Sequence, residues 1–131
     1  QAQGAAVWHA QALRGPTSYT AVYATRAALT THRPAMLGMV RGLAAMQAWL
    51  HAASAAEIAA TVTPYFEGME RALLEAGIAR YLALGLWSAT PLFPRQAFEA
   101  LQAAMLAAGA IARAPGFAAC VDEAIVAEAL A

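Results

Sequence analysis

Hydrophobic positions recur along this chain at two different periods. Between residues 19 and 24, Tyr19-Thr20-Ala21-Val22-Tyr23-Ala24 alternates and carries aromatic and β-branched side chains. That is the pattern of a strand. Further on, the spacing changes to three and four residues. Met36, Val40, Leu43, Met46 and Leu50 then share one side of a long helix, with Trp49 beside that face and Arg41 and Gln47 off it. Pro34 suits the first helical position. A residue before proline is pushed out of the α region, so His32-Arg33-Pro34 reads as a break. Thr25 can cap a short helix ending near Thr31.

The helical spacing continues to the end of the chain. Ser54 and Glu57, three apart, form a capping box for a helix over residues 55–62, and Thr63-Pro64-Tyr65-Phe66 closes it. A helix over residues 67–84 is expected to bury Leu73, Leu74, Ile78, Tyr81 and Leu82, with Gly85 as its stop. The loop at 86–94 carries Leu86, Trp87, Leu92 and Phe93 and is expected to pack down. Pro94 or Arg95 opens a helix to about Ala108, with Phe98, Leu101 and Met105 inward, and Gly109 ends it. A last helix spans about 117–130. Residues 1–14 are weakly patterned; Val7 and Trp8 sit in a short strand or an extended lead-in. Gly15-Pro16 is a turn. No internal repeat is evident.

These elements predict a mainly α chain with one or two β-strands, in one domain over residues 1–131. Residues 1–24 form a strand or crossover segment and residues 25–131 the helical portion. A lone strand is not a stable sheet. The expected architecture is therefore the helical C-terminal portion of a larger α/β lobe, with the strand's partners outside these residues. An unpaired strand edge recruits other strands, so a homodimer through residues 19–24 is also expected.

Composition sharpens this picture. Hydrophobic residues make up 61% and charged residues 12%, against about 45–50% and about 25% in typical soluble domains. Alanine, the best helix former, supplies much of the excess. Eight basic residues, all Arg, balance eight acidic ones. A net charge of zero carries no electrostatic footprint for nucleic acid or an anionic membrane. The apolar runs are broken by Arg41, by His51 and by the turn at residues 90–94, short of the roughly 20 residues a membrane span needs. The start, QAQGAAVWHA, has no basic region ahead of an apolar one and no initiator Met, so the chain reads as a processed product or an internal piece.

Candidate chemistry is sparse. His9, His32 and His51 are isolated, with no metal-ligand spacing. Glu67, Glu70 and Glu75 read as a solvated helix face rather than an acid–base pair. No glycine-rich phosphate loop or nucleophile elbow is present, and no cofactor is expected. Cys120, the single cysteine, reads as a buried apolar filler rather than a nucleophile. Ser18, Tyr19 and Thr20 differ. They place hydroxyls at a strand entry just after a Gly-Pro break, and small-ligand sites in α/β sheets gather at strand ends. Ser18 and Tyr19, with Trp8 as a stacking surface, are the candidate ligand contacts.

With those residues in view, the chain resembles the C-terminal part of the solute-binding proteins of bacterial ABC importers. The nearest group handles nitrate, alkanesulfonates, taurine and thiamine-pyrimidine precursors. The resemblance rests on an ordered set: GPTSYTAVYAT at 15–25, THRPAM at 31–36, RGLAAMQAWL at 41–50, SAAEIAA at 54–60, RYLALGLWS at 80–88 and FEALQAAMLAAGAI at 98–111. It implies a two-lobe clamshell of the type II periplasmic-binding-protein class, of which this chain is a partial lobe. It implies no enzymatic activity, a periplasmic or extracytoplasmic parent that can carry a lipid anchor, a small organic or anionic solute held between the lobes, and an ABC permease as partner. Only Ser18, Tyr19 and Trp8 would border the cleft. The same resemblance extends to thiamine-pyrimidine synthases, whose catalytic residues would lie upstream. A stand-alone helical, self-associating module is the remaining reading.

Overall fold

The computed structural model describes Ser18 and residues 20–131. Among these residues there are seven α-helices and no strand. In order they are α1 (Arg26–Thr31), α2 (Arg33–Ala52), α3 (Ala55–Val62), α4 (Arg71–Ala83), α5 (Arg95–Ala107), α6 (Phe117–Cys120) and α7 (Glu123–Leu130). A 3₁₀ turn, Thr63–Tyr65, follows α3. The mainly α class is as expected.

The strand expected at 19–24 is not formed by residues 20–24. These are irregular and exposed, with Tyr23 93% and Val22 61% accessible. The physical reason is the lack of a partner. A β-prone run becomes a strand only when a neighbour satisfies its backbone groups, and no strand pairs with it among the described residues. Tyr19 itself lies outside them.

By contact, the chain divides into two compact units. One comprises Tyr23–Leu92 with Asp122–Ala131; the described part of the other is Phe93–Val121 with Ser18 and residues 20–22. In the first, α2 is the spine. Its N-terminal half packs on α7, burying Val40, Ile125, Val126 and Ala129, with Leu29, Met36 and Leu37 at the edge. Its C-terminal end meets the α3–α4 pair, where Ile58, Ala59, Leu74 and Ile78 are buried and Leu50, Ala53, Val62, Leu82 and Trp87 pack around them. Each well-buried aliphatic side chain contributes about 1.5–3 kcal/mol.

The helix ends follow their side-chain chemistry. Thr25 Oγ1 accepts from Ala28 N at 3.1 Å, capping α1. Ser54 and Glu57 close the capping box: Ser54 Oγ accepts from Glu57 N at 3.3 Å, and Glu57 Oε2 accepts from Ser54 N at 2.8 Å. The break at 32–34 is present, although α2 starts at Arg33 with Pro34 second. At the end of α4, Gly85 has φ +61, Gly85 N donates to Leu82 O at 3.0 Å and Leu86 N to Tyr81 O at 3.2 Å. That is a Schellman stop, and glycine is the residue that adopts it without strain. Residues 105–110 repeat the arrangement with Gly109 at φ +68.

Three expected helices differ. The helix drawn over 67–84 begins only at Arg71, because Gly68, at φ +77, turns the chain first. The single helix expected at 117–130 is two, α6 and α7. Val121 is extended, and the Asp122 carboxylate accepts from Ile125 N at 3.2 Å, so Asp122 starts a new helix instead of continuing the old one. Cys120, expected to be buried, is exposed as a consequence: it ends a four-residue helix. In α5 the buried residue is Ala97, with Phe98 half-buried, while Leu101 and Met105 are exposed.

In the second unit, the described core is aromatic. Phe98 meets Phe93 and Phe117 edge to face, with ring centroids 6.1 and 5.3 Å away. The Arg95 guanidinium lies over the Phe117 ring, 4.0 Å from its centroid, an arrangement favoured by the ring quadrupole. Gln102 Nε2 donates to Pro115 O at 2.7 Å and ties the following loop back to α5.

Candidate functional site

The feature that stands out is α2 itself. From Pro34 to Ala53 its only ionisable residues are Arg41 and His51. One side is used: Met36, Leu37, Val40, Leu43, Ala44 and Gln47 are buried or half-buried. The side running through Met39, Gly42, Met46 and Trp49 is open. Met39 is 39%, Met46 42% and Trp49 41% exposed. A Cβ built on Gly42 would meet nothing within 4 Å. These four residues are spaced 3, 4 and 3 apart, so they form one stripe along the helix. Met46 was expected on the buried face; the packed stripe runs through Val40 and Gln47 instead, which turns Met46 outward.

An amphipathic surface helix carries a charged or polar outer face. This stripe has none. Arg41 and His51 lie beside it rather than on it. The open stripe is therefore the candidate binding surface: flexible thioethers, one indole, and a glycine that would let another backbone approach closely. On α4, Leu73 and Tyr81, both expected inside, are exposed as well, because Leu74 and Ile78 take the contact with α3.

Polar contacts pin the elements around α2. Arg33 holds α7 by two acidic partners. Its Nε donates to Glu128 Oε2 at 3.1 Å, its Nη2 contacts the same oxygen, and Nη1 lies 3.9 Å from Asp122 Oδ2. The hydrogen bond to Glu128 is the main reason the Arg33 pKa is raised, with the Glu128 and Asp122 charges adding to it against desolvation. Arg41 Nε donates to Ala129 O at 2.9 Å. Gln47 Nε2 donates to Thr90 O at 3.0 Å, and Ser88 Oγ donates to the same carbonyl at 2.7 Å, which fastens the Trp87 loop. Trp87 meets Tyr81 edge to face at 5.5 Å. The loop does pack down at Trp87 and Phe93, whereas Leu86 and Leu92 are exposed. Gln47 Oε1 is buried without a hydrogen-bond partner among the described residues.

Of the three residues expected to touch ligand, Trp8 and Tyr19 lie outside the described residues, and Ser18 is half-buried. Among the described residues no group of three or more His, Cys, Asp or Glu converges to hold a metal ion. No helix there is long and apolar enough to cross a membrane. The open stripe on α2 was missed because its residues were assigned to, or beside, the packed face. The signal that would have found it is the uncharged run Met39, Gly42, Met46 and Trp49, spaced 3, 4 and 3 along α2. Comparison with protein-family models, curated proteins and solved structures finds no match.

Proposed function

We propose that this chain is the helical C-terminal portion of an extracytoplasmic solute-binding protein of an ABC importer. Its parent would hold a small organic or anionic solute between two lobes and deliver it to a membrane permease. The observation that carries this reading is the uncovered, uncharged stripe of α2. A helix with apolar residues on its packed side and on a second, exposed stripe has more apolar surface than a solvent-facing helix carries, and a partial lobe would leave that stripe bare. The motifs behind the resemblance support it too. SAAEIAA begins at the Ser54 cap of α3, and RYLALGLWS runs through the Gly85 stop into Trp87, which packs on the α3–α4 core. In the parent, solute would act by stabilising the closed clamshell through its higher affinity for that state. The role of this portion would be support for the first lobe, with Ser18, Tyr19 and Trp8 bordering the cleft.

Two measurements test this reading. Reading the gene upstream of the codon for Gln1 is expected to reveal an export signal and a second lobe; a start codon beside Gln1 would overturn it. Calorimetry on the isolated chain is expected to detect no micromolar binding of nitrate, taurine or a hydroxymethylpyrimidine, since a pocket buries most of its ligand and the opposing lobe is missing.

A second reading, a self-associating helical module, is favoured by one specific observation. Met39, Gly42, Met46 and Trp49 follow the alternating three–four spacing of a coiled-coil seam. Sedimentation of the chain and of Met46→Glu separates the two: in a self-associating module the charge on the stripe turns a low-micromolar dimer into a monomer, and in a partial lobe it leaves the association state unchanged.

A further inference from the structure

We draw no further inference here: the strongest candidate, the uncharged stripe of α2 formed by Met39, Gly42, Met46 and Trp49, already carries the proposed function, and nothing in the structure shows what covers it.

Discussion

Arg41 donates from Nε to the backbone carbonyl of Ala129 at 2.9 Å, so the one guanidinium in the middle of α2 ties down the last turn of α7. The final carbonyls of a helix have no partner within it, and a cation there also meets the negative end of the helix dipole. α7 has eight residues, too few to be stable alone. Its place depends on Val40, Ile125, Val126 and Ala129 and on the two arginines. Arg41→Ala is expected to cost about 1 kcal/mol. Hydrogen exchange should show it as faster exchange at residues 127–131, with α3 and α4 unchanged. Equal protection in α7 before and after would show that the contact contributes nothing.

The two core clusters make a second expectation. Ile125→Ala and Ile78→Ala each delete a buried aliphatic side chain, and each should cost about 2–4 kcal/mol. Ile125→Ala should release α7 first, whereas Ile78→Ala should loosen α3 against α4. Leu43→Ala, at a half-buried position, should cost less than either. Urea midpoints for the three variants check the order; a larger loss at Leu43 would mean that the packed face of α2 runs elsewhere.

Glu57 supplies a pH dependence. Its pKa is lowered, first by the Ser54 side-chain hydrogen bond and then by the Ser54 backbone N–H. The folded value lies below the unfolded one. The contribution of the cap is therefore complete above the ordinary carboxylate range and is lost as pH falls through the folded value. A carboxyl-carbon NMR titration should find Glu57 titrating below the ordinary glutamate value, and Ser54→Ala should bring it back up. No change on removing Ser54 would show that the cap does not hold the carboxylate.

Much of the helical order was legible because it rests on local chemistry. Thr25, Ser54, Glu57, Gly85 and Gly109 act within a turn of their own position, and each does what its residue type predicts. What was not legible depended on long-range partners. Residues 20–24 have strand composition but pair with no strand among the described residues. Leu73, Tyr81, Leu101 and Met105 have helical spacing, but spacing alone does not say which of two adjacent apolar residues faces a neighbour. Asp122 was an avoidable miss. An aspartate three residues before Ile125 is a cap signal, and the apolar pattern running through it masks the break. Of the site, the long helix was legible from its spacing between Met36 and Leu50, but its open side was not.

The open side gives a test in which the isolated chain and its assembly respond in opposite directions. Gly42 lies inside α2, and a Cβ there meets nothing within 4 Å. Glycine in a helix interior is worse than alanine by about 0.5–1 kcal/mol. In the isolated chain, Gly42→Ala should therefore raise the denaturation midpoint. If the stripe is covered by closely packed backbone in the full protein, the same methyl must intrude there, and the gain should vanish or reverse. Met46→Glu provides the complement. At 42% exposure it should leave the isolated chain within about 0.5 kcal/mol of the parent sequence, while placing a charge against whatever covers the stripe. Thermal denaturation of both variants, in this chain and in the longer parent that the proposed function implies, reads the two effects side by side. Met46→Glu that is neutral in both settings would show that the stripe faces water throughout, and the reading of α2 as an interior helix would fail.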